Sequence, residues 1–130
     1  MNLEEAKKYF SNDKYATKTS GIEILEVDGD YVKTCMKIDE RHNNAVGGVM
    51  GGAIFTLADF TFAVATNSPE KVTVSVSGQV NFLNSTKGTV LYGESRKIKD
   101  GKRTCFYEIL IKDNLDENIA TVSFCGMHLK

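Results

Sequence analysis

A chain of 130 residues with a formal net charge of −1 has room for one domain and carries no global field that would gather nucleic acid or an anionic membrane surface. Its 42% hydrophobic and 25% charged residues are those of a globular protein, and a chain this long buries roughly two thirds of the surface it exposes when unfolded. The three cysteines, Cys35, Cys105 and Cys125, are odd in number, widely spaced and set in apolar stretches, which argues against a disulfide framework or a metal site and for reduced thiols in a cytoplasmic protein.

The first residues, MNLEEAKKYF, interleave acidic and basic side chains and lack the apolar centre of a signal peptide. Leu3, Ala6 and Phe10 fall at helical spacing, predicting a short helix that Asn12-Asp13 ends. Residues 1–13 thus form an N-terminal helical segment and 14–130 the core of the domain. Residues 20–28 predict a first strand, Gly29-Asp30 a hairpin turn, and residues 31–38 a second strand with Val32, Thr34, Met36 and Ile38 on one face. A polar and then glycine-rich loop (39–50) leads into an apolar helix over 51–66, which Asn67-Ser68-Pro69 stops. The remainder is strand-like: 72–83, 89–99, 102–113 and 119–129, with Asp100-Gly101 as a hairpin turn. This order predicts an α+β domain in which an antiparallel sheet of five to six strands wraps one long helix.

The apolar run from Ala45 to Ala65 is long enough to suggest a membrane span, but Asp59 inside it would cost about 2.5–3.5 kcal/mol on insertion scales. A helix buried by protein fits better. Because that helix is apolar nearly all round, one chain of this size is expected to cover it poorly, and pairing of two sheets edge to edge would complete the cover.

Chemistry concentrates in His42-Asn43-Asn44-Ala45-Val46-Gly47-Gly48-Val49-Met50-Gly51-Gly52 and in Leu57-Ala58-Asp59. Gly51 and Gly52 open the helix, so their N–H groups have no intrahelical acceptor, the helix dipole adds positive charge there, and the missing side chains admit a ligand. Such an end can stabilise an oxyanion. Asp59, among Phe55, Leu57, Phe60 and Phe62, is read as a carboxylate in apolar surroundings, of the kind whose pKa is raised at functional sites. Gly51 and Asp59 are about 12 Å apart along one helix, so if both act on one atom the Asp59 must come from a second subunit.

The segment Asn44-x-x-Gly47-x-x-Met50-Gly51-Gly52-x-x-Phe55-x-Leu57-Ala58-Asp59, with Ala63, Ala65 and Asn67-Ser68 beyond it, resembles the PaaI-type branch of the hotdog thioesterases. Val80-Asn81-Phe82-Leu83 and Asp100-Gly101-Lys102 extend the resemblance over residues 20–127. It implies a hotdog fold, a homodimer or homotetramer, an acyl-CoA substrate and no cofactor. It further implies that the Gly51 N–H polarises the thioester carbonyl, that Asp59 of a partner subunit is nucleophile or general base, and that Asn44 orients the thioester or a water. Met50, Gly52 and Phe55 would line the substrate site, with a hydroxyl from Ser75 or Ser77. Met50 stands where the family carries His, and Met neither donates a hydrogen bond nor holds a proton. A non-catalytic acyl-CoA-binding hotdog protein is therefore the alternative, ahead of a dehydratase or isomerase. His42 reads as a solvated loop residue and His128 as a surface or strand-edge one.

Overall fold

Local chemistry sets the helix boundaries. The computed structural model describes all 130 residues and begins with α1, Leu3–Phe10. A capping box starts it: Asn2 Oδ1 accepts from the Glu5 N–H at 2.9 Å, and the Glu5 carboxylate accepts from the Asn2 N–H at 3.1 Å. Ala6 and Phe10 turn inward and join the main core. A π-helical turn, Tyr15–Thr19, then leads to the sheet.

Six strands form one antiparallel sheet: β1 (Ile22–Asp28), β2 (Tyr31–Lys37), β3 (Thr73–Phe82), β4 (Val90–Asp100), β5 (Thr104–Asp113) and β6 (Asn118–His128). Their spatial order is β1-β2-β4-β5-β6-β3, so the segment after β2 crosses the sheet to place β3 at the far edge. That crossing segment is α2, Gly51–Thr66, which lies on the sheet. The arrangement is the expected hotdog, with strand ends one or two residues from those predicted. No helix is long and apolar enough to cross a membrane.

Helix α2 buries Ile54, Leu57, Ala58, Phe60, Thr61, Phe62, Val64 and Thr66. The core that receives it includes Val32, Met36, Leu91, Tyr107, Ile109, Ile111, Val122 and Phe124. Cover is better than the sequence suggested, because the N-terminal segment supplies another wall: the rings of Phe10 and Phe60 meet edge to face at 5.9 Å. What stays open is a narrow stripe, Gly52, Thr56, Asp59 and Ala63, of which Gly52 and Asp59 are exposed.

The two sheet edges differ. β1 carries Glu23, Glu26 and Asp28, contains a bulge between Ile24 and Glu26, and is partly covered by α1. These are ordinary guards against edge pairing. β3 has no charged residue in TVSVSGQVNF, and nearly all of it is exposed, including Val74 and Val76.

Helix and sheet approach closely at Gly93 of β4. A β-carbon there would sit 2.6 Å from Thr61 Oγ1 and 2.8 Å from Thr34 Oγ1. Beneath it Thr61 donates to the Leu57 carbonyl at 2.7 Å, so Thr34 donates to Thr61, also at 2.7 Å. Gly93→Ala pushes directly into this buried pair. It is expected to destabilise the protein by about 1–3 kcal/mol, read from the midpoint of urea unfolding at constant m-value.

Candidate active site

Residues 39–50 are shaped by hydrogen bonds that leave the first turn of α2 open. His42 is buried, not solvated as its loop position suggested. Its Nδ1 accepts from the Asp39 N–H at 3.0 Å, so Nε2 carries the proton donated to the Ser20 carbonyl at 2.8 Å. Both ring nitrogens are thereby spent on holding the loop against the end of the N-terminal segment. The His42 carbonyl in turn accepts from the Met50 N–H at 2.8 Å. Between them Asn44 closes a tight loop: its Oδ1 accepts from the N–H groups of Val46 and Gly48, each at 3.0 Å. Gly47 takes φ +87 within this loop, a conformation that favours glycine. Asn44 Nδ2 remains as a donor at the rim.

Helix α2 begins without a side-chain cap. The Met50 carbonyl accepts from Ala53 and Ile54, while the N–H groups of Gly51 and Gly52 donate to nothing in the protomer. Two free amides and the positive end of a sixteen-residue helix therefore stand together. Beside them runs a cleft of about 570 Å³ lined by Asn44, Val49, Gly51, Ile54, Phe82 and Leu83, with Asn84, Ser85 and Thr86 on its polar side. The polar side is anchored on the β5–β6 turn. Thr86 Oγ1 donates to Asp113 at 2.7 Å, and Asn84 Nδ2 donates to the Asn118 carbonyl at 2.8 Å. Burial pushes the Asp113 carboxyl up, but the Thr86 hydroxyl and the N–H groups of Glu117 and Leu115 outweigh it and hold the pKa below the usual carboxylate value.

The cleft brings together Gly51 and Asn44 of the residues singled out from sequence. Gly52 faces open space: a β-carbon there would meet no atom within 4 Å. Met50 is 56% exposed and lies outside the cleft lining. Phe55 packs inward, its ring 5.6 Å from that of Phe124. Ser75 and Ser77 flank a bulge on β3 and are exposed. Asp59, expected in apolar surroundings, is instead exposed in the protomer, on the outward stripe of α2 with Gly52. Its neighbours still strip part of its hydration, and this desolvation, with the charge of Asp13 added, raises its pKa. Phe82 was named only within the strand segment that extends the resemblance, not as a site residue, and Asn84, Ser85 and Thr86 were not singled out; residues 84–88 read only as a turn.

Titratable groups also gather at the opposite end of α2. His128 is nearly buried rather than surface-placed, and its Nε2 lies 2.7 Å from Asp100 Oδ1. Thr73 Oγ1 donates to the Thr66 carbonyl at 2.8 Å and accepts from His128 Nδ1 at 2.8 Å. Cys105 Sγ completes a group of three potential metal-ligand atoms within 4.8 Å of one another. The carboxylate there is already paired with Lys71 Nζ at 3.1 Å, so the cluster is an ion-pair network tying β3 to the β4–β5 hairpin.

Residues 46–120 match the model of the thioesterase superfamily. A putative esterase of Archaeoglobus fulgidus is 31% identical over 120 residues, covering 91% of this chain and 77% of that protein. The acyl-coenzyme A thioesterase PaaI of Escherichia coli is 29% identical over 118 residues, covering 90% and 84%. The solved structure of E. coli PaaI, a protein of the phenylacetic acid degradation operon, superimposes with a TM-score of 0.87 at 22% identity, covering 100% of this chain and 97% of that one. A hypothetical thioesterase from Streptococcus pneumoniae, solved with coenzyme A, gives a TM-score of 0.83 at 20% identity over 92% and 95%.

The raised pKa of Asp59 has a sign that can be measured. The unfolded chain ionises first, so the carboxylate opposes folding once the pH exceeds the unfolded value of about 4. Asp59→Asn is therefore expected to raise Tm at neutral pH. The gain should shrink as the pH falls and vanish below about pH 3, where both states hold the proton. A neutral-pH Tm equal to or below that of wild type would contradict the assignment.

Proposed function

Because the chain belongs to the thioesterase superfamily, in its PaaI-type hotdog branch, we propose that it hydrolyses an acyl- or aryl-acyl-CoA thioester to the free acid and CoA. The observation that carries this reading is the unpartnered Gly51 amide at the start of α2, which lines a cleft that is apolar on one side and polar on the other. In the proposed reaction the thioester carbonyl oxygen accepts from the Gly51 N–H. Negative charge grows on that oxygen as the carbon becomes tetrahedral, and a preorganised donor of this kind is worth about 2.7–4 kcal/mol. Asn44 Nδ2, whose companion Oδ1 is held by the loop, orients the thioester or the attacking water.

The carboxylate comes from Asp59 of the partner subunit, acting on the carbonyl carbon directly or by taking a proton from water. On the general-base route the water oxygen adds to the carbonyl carbon, the C–S bond breaks, and the thiolate takes up the proton that Asp59 removed. On the nucleophilic route the C–S bond breaks to leave an acyl–Asp59 anhydride, which water then hydrolyses to the free acid and the carboxylate while the thiolate is protonated to CoA. Two observations support a partner. Asp59 points out of its own protomer, and β3 presents an uncharged, unguarded edge to which a second copy can add. Ser75, Ser77, Gly52, Met50 and Phe55 would then lie near the joint between subunits, where the first four are open in the protomer. Three free cysteines suit a reducing cytoplasm.

Met50 favours the second reading, an acyl-CoA-binding protein without turnover, because the position that holds His in PaaI-type enzymes here offers no donor. Hydrolysis by Gly51, Asn44 and Asp59 needs no side-chain donor at that position. Mixed dimers separate the possibilities. Asp59→Ala and Gly51→Val subunits, each inactive as a homodimer, are expected to give isolated hybrid dimers with roughly half the wild-type rate, one composite site of two being intact. Folded hybrids as inactive as their parents would refute the shared site. Tight acyl-CoA binding by wild type with no release of free thiol would favour the binding protein.

A further inference from the structure

One wall of the cleft is out of keeping with the others. Phe82, the last residue of β3, has its backbone in register with Ala120 of β6, so its main chain is fixed. Its ring tip rests against the first residue of α2: a β-carbon on Gly51 would lie 2.9 Å from Phe82 Cζ and 3.3 Å from Cε1. Yet the residue is 55% exposed, and the next residue, Leu83, is also exposed and lines the same cleft. A large aromatic side chain normally buries its faces. Here the ring tip abuts the start of α2 and the ring borders the open cleft.

This has a steric consequence. The ring borders the cleft directly beside Gly51, so an acyl group that enters this cleft to reach the Gly51 amide lies along the ring or turns it aside. Because strand pairing fixes the backbone, adjustment falls to the side-chain torsions. Val49, Ile54 and Leu83 supply apolar surface nearby, so space beyond the ring would suit hydrocarbon. The geometry points to Phe82 as the residue that sets the size of the acyl group: its ring closes the cleft at Gly51 and confines the wild-type protein to small acyl thioesters. This rests on the thioester reading of the Gly51 site. It concerns which substrates enter, not how the bond is broken.

The test measures hydrolysis of acetyl-, hexanoyl- and lauroyl-CoA by wild type, Phe82→Leu and Phe82→Ala, together with calorimetric affinities for the matching non-hydrolysable thioether analogues. Phe82→Ala is expected to raise kcat/KM for lauroyl-CoA relative to acetyl-CoA by at least about tenfold, the scale of one or more methylenes admitted to a pocket. The change should reside in KM, with Phe82→Leu intermediate. The thioether affinities should shift in the same order. If a folded Phe82→Ala protein keeps the wild-type chain-length profile in both turnover and affinity, the assignment is overturned. If wild type turns over none of the thioesters, hydrolysis of straight-chain acyl-CoA is refuted separately, and the analogue affinities alone decide the role of Phe82.

Discussion

An apolar helix must be removed from water on nearly every side, and most of this architecture follows from how α2 meets that demand. The sheet takes one broad face, and Phe10 from the N-terminal segment takes another. Close approach requires gaps in the facing layer, which Gly93 supplies over the Thr34–Thr61 pair. Once the body of the helix is fixed, so is its start. Gly51 and Gly52 are carried to the open end of the sheet, where the chain supplies no acceptor for their amides. The same packing that stabilises the fold thus leaves a donor free at a cleft.

The other polar groups make that vacancy informative. His42 uses both ring nitrogens on backbone partners, Asp113 accepts from one hydroxyl and two amides, and His128 bridges Thr73 and Asp100. No buried side-chain nitrogen or oxygen lacks a partner. Both histidines, the residues with the readiest proton chemistry near neutral pH, are therefore committed to holding structure. Around the cleft, the groups left able to act on a ligand are a backbone amide, the Asn44 side-chain amide and the Ser85 hydroxyl, the Thr86 proton being given to Asp113. These donors can bind a carbonyl oxygen, but none is a ready base at neutral pH, and the nearby carboxylate on α2 faces outward.

Much of this was legible in the sequence because it rests on local patterns. The helix from Gly51 to Thr66 and all six strands follow from apolar periodicity and turn residues, and Gly51 follows from a glycine-rich helix start, whereas Asn44 was marked only by the resemblance to PaaI-type enzymes. What escaped depends on contacts between distant segments. His42 looked solvated because its neighbours are polar, whereas the Ser20 carbonyl that buries it is 22 residues away. Phe82 and Thr86 looked like a strand end and a turn, and became walls of the cleft only when β3 crossed to the far edge of the sheet and Asp113 fixed the turn. Asp59 was read as lying in apolar surroundings because its sequence neighbours are apolar. A helix turns each residue by about 100° from the last, and Asp59 shares its face with Gly52, Thr56 and Ala63 instead.

That outward face and the β3 edge pose one problem in two forms. An uncharged edge strand invites pairing, and natural proteins usually blunt such an edge unless pairing is its use. β1 is blunted and β3 is not. A β-carbon on Gly52 likewise would meet nothing packed against it, so nothing within the protomer requires the lack of a side chain there. A second copy adding along β3 would account for both at once. It would cover the edge, and it would bring another molecule towards the open stripe of α2. The separation of about 12 Å between the Gly51 amide and Asp59 on one helix then stops being an obstacle: two copies related by a twofold axis can each lend a carboxylate to the other's amide.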